Sequence, residues 1–381
     1  MSLQTFNSKR VIETDAGIPV PGEGNEATAA AMTFDGAQES ALRTLKTLQH
    51  LASFFTLIVV LCFVMNAVVT SGLRRIKTSS FGAMNQVMEG KVNAQVVITG
   101  SSRALAHYDP RLLAAATGRT AFNLGRNGSQ TDIQVAALKA YLAHNQKPEI
   151  VIHNLDAFTF VETREVYDPV AYTPYLYDRD LYDALWKINP NIWKSRDLPL
   201  YGYVVEDINF TWVPGLKGFF GWSPREDYFL GFNPRSKDWT EDFDRFKADR
   251  PNGVTFDIEP GGLEDLQELI RVCRQNGIQL ILVYSPEYIE MQSLTRNRKE
   301  IFDWFHKFAD QNGIPLWDYS HWKYAGSKEY FQNSQHLNAT GAAVFSNDVA
   351  NQLKEYLAAQ SRSAEESRAS VKPIEAVREK N

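Results

Sequence analysis

Cysteine is nearly missing from this chain: two in 381 residues. Cys62 lies inside a long apolar run and Cys273 on a predicted helix, so a disulfide framework does not underlie the fold. A surplus of positive charge is missing as well. The net charge of −5 argues against a nucleic-acid partner, which would want a basic face. No Cys/His cluster has metal-binding spacing, and no glycine-rich loop is followed by the lysine of a phosphate site, so neither a metal nor a cofactor is implied. No internal repeat is visible.

One further absence is local. From Leu51 to Leu73 there is no charged residue, and the run Leu51-Ala-Ser-Phe-Phe-Thr-Leu-Ile-Val-Val-Leu-Cys-Phe-Val-Met65 is almost wholly apolar. About 20 such residues cross a bilayer core as a helix. No polar stripe interrupts the run, as one would on a buried helix of a soluble protein. Some 50 residues precede it, which argues against a cleaved signal peptide. The expectation is therefore a single-span membrane protein whose partner is the lipid bilayer. Arg43 and Lys46 flank one side of the run and Arg74, Arg75 and Lys77 the other. That balance votes for a cytoplasmic domain, but long domains translocate largely regardless of flanking charge. The expected location is the inner membrane with the large domain outside the cytoplasm.

What is present is a globular composition, 44% hydrophobic and 22% charged. Residues 1–50 read as a polar, disordered tail that may end in a short helix, residues 51–73 as the membrane helix, and residues 359–381 as a second solvated tail. Between 90 and 358, apolar strands alternate with amphipathic helices. Strands are expected at Ala94–Thr99, Thr120–Gly125, Ile150–Asn154, Ile278–Tyr284 and Ile314–Trp317. Ser129-Gln-Thr-Asp132 fits a capping box that opens a helix. A helix carrying Leu263, Leu266, Ile270 and Cys273 closes at Gly277, another runs from about Met291 to Asp310, and Ala342, Phe345, Val349, Leu353 and Leu357 stripe the last one. This alternation predicts an α/β fold, a three-layer α/β/α sandwich around a parallel five-stranded sheet. Residues 160–255 interrupt it with a long, irregular, aromatic-rich insertion containing Trp186, Trp193, Trp212, Trp222 and Trp239. Such faces suit sugar rings or a small apolar subcore equally well.

Ligands of open parallel sheets sit outside the carboxyl ends of the strands. Ser102, the Gly125–Gly128 turn and Asn154 each follow such an end, and His336 lies in a loop just before the last helix. A serine on a tight turn after a buried strand is exposed and rigid, as a nucleophile must be, and a distant histidine can take its proton. The structural alternatives are plain: Ser102 as a turn cap, His336 as a satisfied core residue, and Arg103 as a salt-bridge partner.

Four blocks resemble the SGNH (GDSL-like) hydrolase superfamily, in particular a membrane-anchored branch met among bacterial cell-surface polysaccharide proteins. Gly100-Ser101-Ser102-Arg103 stands for its first block, with Ser102 as nucleophile. Asn123-Leu-Gly-Arg-Asn-Gly128 stands for the second, whose glycine, Gly128, lends an N–H to the oxyanion hole. His153-Asn154-Leu155-Asp156 stands for the third, with Asn154 or Asp156 at the position of the oxyanion asparagine. Asn333-Ser-Gln-His336 stands for the last, where Asn333 replaces the usual aspartate; Asp318 is a possible substitute carboxylate. The resemblance implies a flavodoxin-like SGNH fold and an O-acyl esterase or transferase, acetyl being the expected group, acting on a cell-envelope or exported glycan. Arg103 and Asp156 are its possible substrate contacts, and polysaccharide-assembly proteins its possible partners. Without the aspartate, the alternative is a catalytically silent glycan-binding or scaffold module.

Overall fold

The computed structural model describes residues 25–205, 210–225, 228–235 and 238–370. Two compact units divide the chain, Met1–Leu61 and Cys62–Asn381. Helix α1 spans Asn25–Leu73. Of the expected tail at 1–50, residues 1–24 lie outside the described residues, but 25–50 are helical rather than disordered. The physical reason is propagation: alanines and other good helix formers before the apolar run extend a helix already nucleated there. Gln38–Leu73 is long and apolar enough to cross a membrane.

Within the second unit, the last turns of α1 are not available to lipid all round. Val69, Leu73 and Ile76 are buried with Tyr203 in one apolar cluster. The Thr70 and Tyr203 hydroxyls lie 2.8 Å apart, and Asn66 Oδ1 accepts the Leu200 N–H at 2.9 Å. The expected span of 51–73 thus ends in residues that belong to the folded domain. Helix α2, Ser79–Met88, follows at once.

Five parallel strands form one sheet: β1 Val96–Thr99, β2 Ala121–Asn123, β3 Ile150–Leu155, β4 Gln279–Tyr284 and β5 Leu316–Asp318. Their order is β2-β1-β3-β4-β5. Val97 pairs in register with Phe122 on one side and Val151 on the other, and β3 with β4 is the longest pairing, Ile150 to Leu155 against Gln279 to Tyr284. Every residue of β1 and β3 is buried, which is why both open as apolar runs, Val96 to Ile98 and Ile150 to Ile152. Two apolar clusters cover the two faces. One contains Val97, Val151, Leu266, Ile270 and Phe305; the other contains Val96, Ile98, Phe345, Val349 and Leu353. The fold is the α/β/α sandwich that the alternation predicted.

Two helical details differ from the sequence reading. Helix α5, Thr131–His144, starts after Gln130 without a side-chain cap. The Ser129 hydroxyl instead donates to the Arg126 carbonyl at 3.0 Å, closing the preceding turn, so the capping box does not form. The last helix runs Ala339–Ser370, past the expected boundary at 358, because no helix breaker interrupts Ala358 to Ser370. Cys62 and Cys273 are both free.

The insertion contributes to the scaffold as well as to its surface. Its Phe229–Phe232 turn bonds to the exposed edge of the sheet, where Asn123 N–H donates to Leu230 O at 2.9 Å. Trp239 packs edge-on to Phe243 and against Tyr288. Trp186, Trp193, Trp212 and Trp222 remain exposed.

Candidate active site

At the carboxyl end of β1, Gly100 adopts φ +141°, and a Cβ there would stand 2.8 Å from the Ala104 Cβ and 2.9 Å from the Asn154 Cβ. Only glycine permits so sharp an exit against β3. Ser101 is the N-cap of helix α3, Ser102–His107, its hydroxyl accepting the Arg103 N–H at 3.1 Å. Ser102 therefore holds the first helical position, where its own N–H has no partner within the helix.

His336 meets it from the far end of the chain. Its Nε2 lies 2.7 Å from Ser102 Oγ, and its Nδ1 lies 3.0 Å from Asn333 Oδ1. The same Oδ1 accepts the backbone N–H groups of Gln335 at 3.0 Å and His336 at 2.9 Å. Those two donors fix the Asn333 amide with its oxygen toward the ring. Nδ1 must then carry the proton, leaving the Nε2 lone pair to accept from the serine hydroxyl. Asn333 thus sets the tautomer that an aspartate would set, without the charge. Burial, followed by the charges of Arg235 and Arg103, pushes the His336 pKa from 6.5 down to about 3. At neutral pH the ring is an uncharged acceptor.

Gly128 has φ +61°, and a Cβ would fall 2.4 Å from Tyr167 Cγ, so no larger residue fits beneath that ring. Neither a described backbone carbonyl nor a described side chain takes its N–H.

The remaining predicted residues turn inward. Asn154 on β3 is buried. Its amide nitrogen donates to Leu155 O at 3.1 Å and Asp156 Oδ1 at 3.4 Å, and its oxygen accepts from Tyr108 OH at 2.8 Å. Both ends of the amide are committed inside the protein, which contradicts the expected donation to an oxyanion. Arg103 and Asp156, the expected substrate contacts, form a salt bridge at 3.1 Å with side chains 3% and 2% exposed. Arg103 also donates to the Ser285 carbonyl and lies over the Tyr284 ring, 4.7 Å from its centroid. Burial raises the Asp156 pKa against the pull of the Arg103 charge. Both are scaffold residues, sealed from any substrate. Asp318 is exposed and accepts the Ser320 N–H at 2.8 Å rather than approaching His336.

Two residues that the motifs do not flag shape the site. His107 is buried beneath His336, its ring edge-on at 6.3 Å between centroids. Its Nε2 accepts the Leu337 N–H at 3.0 Å, so Nδ1 carries the proton and donates to Ser285 Oγ at 2.9 Å. It ties the His336 loop to α3. Burial, then the Arg103 and His336 charges, drives its pKa well below 6.5 and keeps it neutral. Arg235, from the insertion, donates to Asn127 Oδ1 at 2.8 Å. His107 had a faint signal, its position on the helix that opens with Ser102; Arg235 had none, since nothing local links the insertion to His336.

No group of three or more His, Cys, Asp or Glu among the described residues is placed to hold a metal ion.

No protein-family profile matches this chain, and no curated protein does. Solved structures do. A Desulfitobacterium hafniense DCB-2 protein described as lipolytic and of the G-D-S-L family shares 11% identity over 68% of this chain and 99% of its own, at a TM-score of 0.34. A Bacteroides fragilis NCTC 9343 protein described as an acylhydrolase shares 13% identity over 68% of this chain and 87% of its own, at 0.31. A GDSL-like lipase from Bacteroides thetaiotaomicron VPI-5482 shares 11% over 73% and 100%, at 0.34. Likeness at this level concerns the course of the backbone alone.

Proposed function

We propose that this chain is a serine acyl-ester enzyme with Ser102 as nucleophile and His336 as base. The observation that carries this reading is the 2.7 Å contact between His336 Nε2 and Ser102 Oγ, with Asn333 fixing the productive tautomer. As Oγ attacks the acyl carbonyl, its proton passes to Nε2 and the carbonyl oxygen becomes an oxyanion. The Ser102 and Gly128 N–H groups are the donors available to it. Collapse breaks the ester bond, Nε2–H gives its proton to the departing alkoxide, and an acyl-Ser102 ester remains. A water or a second hydroxyl then loses its proton to Nε2 and attacks that ester; the bond to Oγ breaks, and Oγ takes the proton back from Nε2.

The finer reading is an O-acetyl esterase or transferase for an envelope or exported glycan, held to the inner membrane by α1. Its support is the motif resemblance, the helix long and apolar enough to cross a bilayer, and the exposed tryptophans of the insertion. The test uses the full chain in detergent with a chromogenic acetyl ester and a serine-directed phosphonate. Labelling at Ser102 that vanishes in His336→Ala supports the enzyme. Absence of labelling and turnover overturns it in favour of a silent module. A reporter fused to the C-terminus reads the side of the membrane.

A further inference from the structure

Several arginines of the described residues meet a carboxylate: Arg103 with Asp156, Arg111 with Asp109, Arg119 with Glu149, Arg298 with Glu287. Two half-buried arginines, whose backbones bond to Gly100 and to Ala339, form no such pair with any described residue. Arg235 donates through Nη2 to the neutral Asn127 amide, and its Nε is shut off from solvent with no acceptor. Its carbonyl accepts the Ala339 N–H at 2.6 Å, which seats it against the loop that carries His336. Arg126 is the residue next to Asn127. Its guanidinium lies over Tyr172, 4.6 Å from the centroid; Nε donates to Tyr172 OH at 3.3 Å, and Nη1 reaches only the Met84 sulfur at 3.5 Å.

Arg126 also forms part of the wall of a cavity of about 130 Å³, together with Leu105, Phe122, Tyr167, Tyr172 and Tyr228. Leu105 stands one turn after Ser102 on α3, which places one wall of the cavity on the helix that opens with Ser102. Asp168 lines it too and has interactions of its own.

A guanidinium drawn partly out of water without a counter-charge is unfavourable until an anion arrives, and its planar fork matches two carboxylate oxygens. Aromatic walls suit the flat face of a ring. We infer that the edge of the site between Asn127 and the His336 loop binds the carboxylate of an acidic sugar, with Arg235 and Arg126 supplying the positive charge. The inference deepens the acyl-ester reading and rests on it: the substrate would be an acylated acidic glycan. It also bears on Asn333, because a carboxylate held there brings back to the neighbourhood of His336 a negative charge that the asparagine lacks.

The test is calorimetric binding to the full-length Ser102→Ala chain in detergent, with trigalacturonate and its fully methyl-esterified form as probes. The acid is expected to bind at least tenfold more tightly, with an advantage that shrinks as salt rises. That advantage should disappear in Arg235→Gln and in Arg126→Gln, and survive in part in Arg235→Lys. Equal affinity for the two probes on the otherwise unaltered chain overturns the inference, whatever the variants do. Displacement of trigalacturonate by a tenth of its concentration of inorganic phosphate also overturns it, assigning the site to phosphate. Phosphonate labelling of Ser102 is read separately on the unaltered chain. Labelling without a preference for the acid defeats this inference alone; the preference without labelling defeats only the enzymatic reading.

Discussion

Two polar clusters stand side by side at the carboxyl ends of the strands, and they are built on opposite terms. The Ser102–His336–Asn333 cluster is half-open and uncharged, joined by hydrogen bonds of 2.7 and 3.0 Å. The cluster around Arg103 is sealed and ionic. There Asp156, Tyr284, Glu287 and Arg298 are knit by contacts of 3.1 Å from Arg103 to Asp156, 2.6 Å from Tyr284 OH to Glu287, and 2.7 Å from Arg298 to Glu287. Ser102 and Arg103 are neighbours in sequence yet belong to different clusters. Successive residues on a helix point about 100° apart, so one side chain faces the cleft and the next the sheet. A motif therefore marks a place in the fold without saying which of its residues does chemistry.

Removing chemistry from the open cluster should give the largest effect. Ser102→Ala or His336→Ala is expected to lower ester turnover by roughly 10³-fold or more. Urea unfolding should show stability changed by less than about 1 kcal/mol. A comparable loss of stability would erase the contrast between the clusters.

The sealed cluster should respond in the reverse sense. Asp156→Ala leaves the Arg103 guanidinium buried without its partner, and about 3–5 kcal/mol of stability should be lost. Replacing both residues together, Arg103→Met with Asp156→Leu, should recover much of that loss in the same unfolding measurement. Failure of the double variant to exceed Asp156→Ala would mean that the pair holds the site by more than charge compensation.

Asn333→Asp sharpens the comparison by making the open cluster ionic. With the His336 pKa at about 3, kcat/KM should be flat from pH 5 to pH 8 in the unaltered chain, without an inflection near 6.5. The new carboxylate should raise that pKa, bring an acid limb into the profile, and increase kcat by about tenfold or more, since the converse change in serine triads is costly. Stability carries the opposite signature in the unaltered chain. His336 and His153 are both held near 3, so between 6.5 and 3 the unfolded chain binds more protons. Their contribution is whole above about pH 6.5 and is lost as pH falls toward 3, which denaturant titrations at stepped pH would read.

The smallest effect concerns Asn154, the residue that the motifs placed with the chemistry. Tyr108→Phe removes the donor that satisfies its carbonyl at 2.8 Å and should cost about 1–2 kcal/mol. Turnover changed more than twofold in that variant would return Asn154 to the reacting centre.

The fold was legible because its strands are buried on both faces and so appear as continuous apolar stretches. Each expected strand is present, and of the last helix's stripe, Ala342, Phe345, Val349 and Leu353 lie buried while Leu357 is partly buried. The capping box failed because Ser129 had a nearer acceptor in the Arg126 carbonyl. The helix before the apolar run was read as short, and its length was not legible because its alanines are mixed with polar residues and leave no single apolar face. At the site, Ser102, Asn333 and His336 could be picked out from the motifs. The direction of Asn154, the burial of Arg103 and the arrival of Arg235 could not.

The sequence alone determined which five stretches hold the strands, that one helix is apolar enough for a bilayer, and which serine and histidine were worth watching. These follow from local periodicity and residue chemistry, which neighbouring positions already contain. Tertiary structure decided that those two side chains, 234 positions apart, come within 2.7 Å, and that a flanking arginine and aspartate neutralise one another out of reach. Such outcomes depend on which surfaces the sheet brings together, a property of distances between remote segments that no local stretch of residues encodes.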